Sequence, residues 1–125
     1  MIIGTGVDLI ELDRIKAIYK KFGNRFSARI LTPGELIRIP PNPVSYLASR
    51  FAAKEAGVKA LGTGFALGIT LQHLEILQDD LGRPELFFSG PASSRALELG
   101  VQKIHLSISH GRDIAVAVVI LETSN

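Results

Sequence analysis

Residues Ala48-Ser-Arg-Phe-Ala-Ala-Lys-Glu-Ala-Gly-Val-Lys-Ala-Leu-Gly-Thr-Gly64 read as a helix that has no fully polar side and yet carries four charges. At about 100° per residue, Leu47, Phe51, Val58 and Leu61 form one apolar stripe, and Ala52, Ala53, Ala56 and Ala60 form a second face of small residues. Two elements therefore have to pack on this helix at once, which makes it the centre of the fold. Lys54 falls inside the large stripe, Arg50 at its edge, and Glu55 and Lys59, four apart and so neighbours, between the two faces. A charge buried alone costs several kcal/mol. These groups either form a network at the edge of a core or converge on something charged. Gly62-Thr63-Gly64 ends the helix in a loop whose backbone N–H groups can face an anion without obstruction, although Gly62 by itself also suits a plain helix stop.

A chain of 125 residues with 46% hydrophobic content has enough apolar material for one α+β domain spanning 1–125. Cysteine is absent, which excludes a disulfide framework and a thiolate metal site. The N-terminus lacks the basic start and long apolar segment of a signal peptide, and no apolar run approaches ~18 residues. The expectation is a cytoplasmic protein without a membrane span. A net charge of only +2 argues against a general nucleic-acid coat but leaves room for a local basic patch.

Ile2 to Leu9 reads as a strand, with Ile3, Thr5 and Val7 on one side and Gly4, Gly6 and Asp8 on the other. The glycines clear space beside Asp8 for a ligand or another backbone, while Asp8 also suits the capping position of the next helix. Leu12, Ile15, Ile18, Tyr19 and Phe22 recur at helical spacing up to Gly23-Asn24. The outer face of that helix carries Arg14, Lys16, Lys20 and Lys21, with Arg25 and Arg29 just beyond. This is the one clear basic patch, either a solvated face or a dock for an acidic partner.

Thr32-Pro-Gly-Glu35 has the pattern of a capping box, and Asn42 is placed to cap the long helix with Pro43 as its first residue. Leu74–Leu77 and Glu85–Phe88 predict a hairpin, Ile69–Leu71 is ambiguous, and Pro91–Leu99 predicts a short helix stopped by Gly100. Two final strands are expected at Lys103–Ser109 and Ile114–Leu121. The last is apolar on both faces and so central in its sheet. His110 falls at the end of its strand, at a rim, while His73 and His105 read as surface or satisfied sheet residues.

Two carboxylates from separate elements, Asp8 and Glu55, suit a hard divalent ion that takes one or two acids plus substrate phosphates and water. Phosphoryl chemistry also needs cations on the non-bridging oxygens, a role open to Lys59 and Lys54. The segments Gly4-Thr-Gly-Val-Asp-Leu-Ile-Glu-Leu-Asp-Arg-Ile15, Leu31-Thr-Pro-Gly-Glu-Leu36, Arg50-Phe-Ala-Ala-Lys-Glu-Ala-Gly-Val-Lys-Ala-Leu-Gly-Thr-Gly64, Gly82-Arg-Pro84 and Leu106-Ser-Ile-Ser-His110 occur in this order across most of the chain. Together they resemble the holo-[acyl-carrier-protein] synthases of the 4′-phosphopantetheinyl transferase family.

The resemblance implies Mg²⁺-dependent transfer of 4′-phosphopantetheine from coenzyme A to a serine of apo acyl carrier protein, releasing adenosine 3′,5′-bisphosphate. It implies that Asp8 and Glu55 bind Mg²⁺, that Lys59 stabilises charge on the diphosphate, and that Arg50, Lys54, Gly62, Thr63, Gly64 and His110 line the coenzyme A cleft. It further implies that Arg14, Lys20, Lys21 and Arg25 meet the carrier protein, and that a small α+β fold, an antiparallel sheet on a long central helix, assembles as a homotrimer with each site at a subunit interface. Two features differ from the family pattern. The segment Ile37–Pro43 is short and proline-rich, leaving Arg38 as the candidate cation for the 3′-phosphate, and Leu81 precedes Gly82 where a polar residue is expected. The competing reading is a non-catalytic module that holds an acidic protein through the basic first helix.

Overall fold

The computed structural model describes residues 1–124. Strand β1 (Ile2–Glu11) runs antiparallel to β5 (Ile114–Glu122), which in turn pairs with β4 (Lys103–His110), giving the order β1-β5-β4. The apolar last strand is therefore the centre of its sheet, as its composition predicts. Helix α4 (Val44–Ala60) lies across one face of that sheet. Gly6 sets the distance between them: a Cβ there would collide with the carbonyl oxygen of Ala56, and one at Gly4 with that of Ala60. Of the two uses that sequence allows for these glycines, close approach of another backbone is the one adopted. Ala115 and Ala117 of β5 and Ala52, Ala53 and Ala56 of α4 are all fully buried, so small residues line both sides of the contact.

Helix α1 (Leu12–Phe22) matches its periodic pattern, but the chain does not leave helical structure at Asn24: a second helix, α2 (Asn24–Ile30), starts there after Gly23 bends the backbone at φ +56°. The short α3 (Pro33–Leu36) has both halves of its capping box, Thr32 N–H donating to Glu35 Oε1 at 2.8 Å and Glu35 N–H to Thr32 Oγ1 at 3.3 Å. Helix α4 begins one residue later than Asn42 and Pro43 suggest, with Pro43 outside it and Asn42 Oδ1 accepting from Val44 N–H at 3.4 Å. Strands β2 (Leu74–Gln78) and β3 (Pro84–Phe88) form the expected hairpin, and α5 (Gly90–Leu99) stops at left-handed Gly100. The ambiguous segment at 69–71 is not a strand; its last residue opens a 3-10 turn at Leu71–His73, with the Thr70 hydroxyl accepting from Gln72 N–H.

The other side of α4 packs on the β2 end of the hairpin and on α3, and here Lys54 departs from expectation. Its side chain is fully buried, and Nζ donates to Glu35 Oε1 at 2.7 Å, Ile30 O at 2.6 Å and Leu71 O at 3.1 Å. An ammonium has three hydrogens, so none is left for a ligand. Lys54 is a core ion pair and not part of a coenzyme-binding wall. Glu35, equally buried, divides its other bonds between Thr32 N–H and Ile76 N–H, the latter at 2.8 Å. Burial lowers the Lys54 pKa, and Glu35 opposes that shift.

Among the described residues no element covers the opposite face of the three-stranded sheet. Val7 and Leu9 of β1 are 56% and 57% exposed, and Ile114 and Val118 of β5 are also exposed. Removing one partner from a buried pair leaves an uncompensated charge, so Lys54→Met is expected to lower unfolding free energy by ~3–5 kcal/mol. Lys59→Met, at a half-exposed pair, is expected to cost about 1 kcal/mol or less. Urea denaturation of the two variants checks the difference.

Candidate functional site

Asp8 lies two residues beyond Gly6 on the same face of β1, so the glycine contact that seats α4 also carries this carboxylate to the last turns of the helix. There Lys59 Nζ bonds Asp8 Oδ1 and Val7 O, each at 3.0 Å. Asp8 keeps 17% of its side chain exposed and Lys59 51%, so the pair is open to a ligand. Glu55, one turn earlier on α4 and half-buried, belongs to the same group. Its pKa is raised first by burial and then by the charge of Asp8, while Lys59 and Arg14 pull it back. Two carboxylates that repel each other in a partly buried place are relieved by a cation, and the all-oxygen donor set fits a hard one. Among the described residues no group of three or more His, Cys, Asp or Glu side chains clusters, so such an ion would complete its shell with water and substrate oxygens.

Glu55 opens into a cleft of about 650 Å³ whose walls are Ala28 and Arg29 at the end of α2, Phe65 and Ile69 from the loop after α4, and Thr70–Gln72. Gly62, Thr63 and Gly64 do not present their N–H groups to that cleft. Gly62 donates to Lys59 O at 3.0 Å, and Thr63 and Gly64 both donate to Val58 O at 3.2 Å, closing the C-terminal turn of α4. The amide nest expected from this sequence is thus consumed by helix carbonyls. What the loop does supply to the cleft is the apolar pair Phe65 and Ile69.

Arg50 faces elsewhere. Five residues from Glu55, it lies about 140° around the helix, in a second cleft of about 320 Å³ that also includes Tyr46, Ser49, Gln78, Gly82, Pro84 and His110. Arg50 is 8% exposed, its guanidinium stacks 4.0 Å from the Tyr46 ring centre, and its buried Nε has no partner. A guanidinium with an unpartnered Nε beside an exposed histidine has the chemistry to receive an anion. His110, Gly82 and Pro84 border the same cleft. Tyr46, Ser49 and Gln78 were not anticipated, although the i,i+4 spacing of Tyr46 and Arg50 signals the stack. Arg38 is drawn back onto its own turn, Nη1 donating to Gly34 O at 2.7 Å.

The basic side chains Arg14, Lys20, Lys21 and Arg25 are all exposed along α1 and α2. Between these helices runs a groove of about 330 Å³ lined by Ile18, Phe22, Phe26, Arg25 and Arg29. Phe22 is 44% exposed, so part of the stripe that reads as core is surface. Arg29 borders both this groove and the Glu55 cleft.

The family model described as the 4′-phosphopantetheinyl transferase superfamily matches residues 4–119. The chain is 59% identical over 123 residues to the holo-[acyl-carrier-protein] synthase of Maridesulfovibrio salexigens, covering 98% of this chain and 99% of that one. Among solved structures, the holo-[acyl-carrier-protein] synthase of Neisseria meningitidis superimposes with a TM-score of 0.91 at 43% identity, over 98% of this chain and 100% of that one. The Bacillus anthracis enzyme, solved in complex with coenzyme A (3′,5′-ADP), gives a TM-score of 0.82 at 39% identity and covers 99% of both chains.

The charge coupling at the acid pair has a direct readout. Asp8→Asn is expected to bring the Glu55 pKa down towards the ordinary carboxylate range, and Lys59→Met to push it further up. Titration of the Glu55 side-chain carboxyl by carbon-detected NMR checks both signs.

Proposed function

The chain belongs to the 4′-phosphopantetheinyl transferase superfamily, among its holo-[acyl-carrier-protein] synthases, and from that membership we propose how its clefts share the reaction. The enzyme transfers the 4′-phosphopantetheine group of coenzyme A to a serine of apo acyl carrier protein. The serine oxygen forms a bond to the β-phosphorus, the bond to adenosine 3′,5′-bisphosphate breaks, and the serine proton is lost.

The observation that carries the assignment of roles is the grouping of Asp8, Glu55 and Lys59 at the β1–α4 contact. Asp8 and Glu55 would hold Mg²⁺, which supplies charge neutralisation at the diphosphate when bound. Lys59, already beside Asp8 and half-exposed, would place its ammonium on the non-bridging oxygens as charge builds there. Arg50 and His110 would receive the anionic nucleotide end. The apolar, cation-rimmed groove between α1 and α2 would receive an acidic amphipathic helix of the carrier, with Arg14, Lys20, Lys21 and Arg25 steering the encounter.

The two coenzyme-binding parts stand on different sides of α4, so one chain would not close them around one molecule. A homotrimer joined through the bare apolar face of the β1-β5-β4 sheet would set the Arg50 side of one subunit against the Asp8 side of the next. A cytoplasmic setting accords with a chain that has no cysteine and, among the described residues, no helix long and apolar enough to cross a membrane. The alternative of a non-catalytic binding module is not favoured, since the relatives that match over nearly the whole chain are named as synthases.

Incubation with coenzyme A, Mg²⁺ and apo carrier protein is expected to add a phosphopantetheine mass to the carrier, and chelation of the metal to stop it. Asp8→Ala and Glu55→Ala are each expected to lower kcat/KM at least about a hundredfold with an unchanged circular dichroism spectrum. Transfer at normal rates in both variants would remove the metal assignment. Val118→Glu, on the bare sheet face, is expected to sediment as a monomer and to lose transfer activity. A trimeric, active Val118→Glu protein would refute the assembly surface.

A further inference from the structure

Helix α2 has only seven residues and ends at Leu31 without a glycine. A helix of that length does not hold its shape in water, and its last four carbonyls have no partner within the helix. All four are nevertheless satisfied. Ser27 O accepts from Leu31 N–H at 2.8 Å, Ile30 O accepts from buried Lys54, and Ala28 O and Arg29 O accept from the Gln72 carboxamide at 3.1 and 3.3 Å. The same Gln72 Nε2 also donates to Leu31 O at 2.8 Å, its two hydrogens being shared among three acceptors. Beyond the Leu31–Ser27 turn, the end of α2 is therefore capped from outside, from beneath by Lys54 and from across the Glu55 cleft by Gln72.

The two caps differ in one respect. Lys54 is locked in the core, whereas Gln72 is an exposed residue that packing does not hold in place. Its donors turn to the helix all the same, and what they orient is Arg25, Phe26 and Arg29, half of the groove between α1 and α2. Gln72 also lines the cleft that holds Glu55, so this single side chain connects the docking helix to the transfer centre.

We propose that Gln72 is a positioning residue for the carrier protein: by capping α2 against the lip of the Glu55 cleft, it keeps the docking groove in register with the reacting diphosphate. The inference rests on the reading that α1 and α2 receive the carrier. It predicts that substitution at Gln72 moves the KM for the carrier and not the KM for coenzyme A.

Gln72→Glu is nearly isosteric and sets an acceptor against three carbonyls. It is expected to raise the KM for apo carrier protein about fivefold to tenfold, a loss the size of one or two net hydrogen bonds. The KM for coenzyme A should stay within about twofold, and the thermal midpoint should fall by no more than about 5 °C. Gln72→Lys restores a donor and should recover most of the carrier affinity. Arg25→Glu, which reverses a charge in the groove itself, is the control. An unchanged carrier KM in Gln72→Glu, with a raised one in Arg25→Glu, overturns the proposal. An unchanged carrier KM in Arg25→Glu overturns the docking reading beneath it. Equal rises in both KM values, or failure of Gln72→Lys to rescue, would show a general structural role and also overturn it.

Discussion

The proposed site depends on how closely one strand backbone lies on one helix. Gly4 and Gly6 let β1 sit directly on the carbonyls of Ala56 and Ala60, a separation that any side chain would forbid. The strand's alternation then delivers Asp8 to the same face, beside Glu55 and Lys59. A wider gap would leave two unrelated surface acids. At this distance the charge of Asp8 adds to burial in raising the Glu55 pKa, and Lys59 opposes both.

The helix resolves its excess of charge by sorting it. Lys54 goes inward, where Glu35 and two carbonyls use all its hydrogens and tie α2, α3 and the 3-10 turn to α4. Its neighbour Glu55 goes to a cleft, Lys59 to the rim beside Asp8, and Arg50 to the far side with an unpaired nitrogen over Tyr46. The buried pair serves the site without touching it. By holding Ile30 and Leu71 it fixes from below the two walls between which Glu55 opens, while Gln72 bridges the same walls from above. Rigid support under an acid pair is what a reaction with charge building on a diphosphate requires.

The proposed assembly follows from the same economy of material. A strand as apolar as β5 buries one face on α4 and leaves Ile114 and Val118 on the other exposed among the described residues, next to Val7 and Leu9 of β1. A bare apolar sheet face and two half-clefts on different sides of a helix are complementary deficits. In the proposed homotrimer, association of identical subunits would remove both.

Much of this was legible from residue order. The small-residue face of α4, the alternation that put Gly4, Gly6 and Asp8 together, the capping box at Thr32 and the doubly apolar last strand each state a local rule, and local rules follow from spacing along the chain. Helix α2 escaped because Gly23-Asn24 reads as an ending, and only packing against α1 and the external caps from Lys54 and Gln72 sustains seven further helical residues. The fates of Lys54 and of the Gly62–Gly64 amides were also beyond sequence, for one physical reason. A donor can be recognised from its residue type, but whether it is free depends on which acceptors tertiary structure brings within reach. Residue types alone determined that this chain carries two acids, several cations and glycines where backbones must touch. The folded arrangement alone decided which of those groups were spent on holding the molecule together and which were left for a ligand.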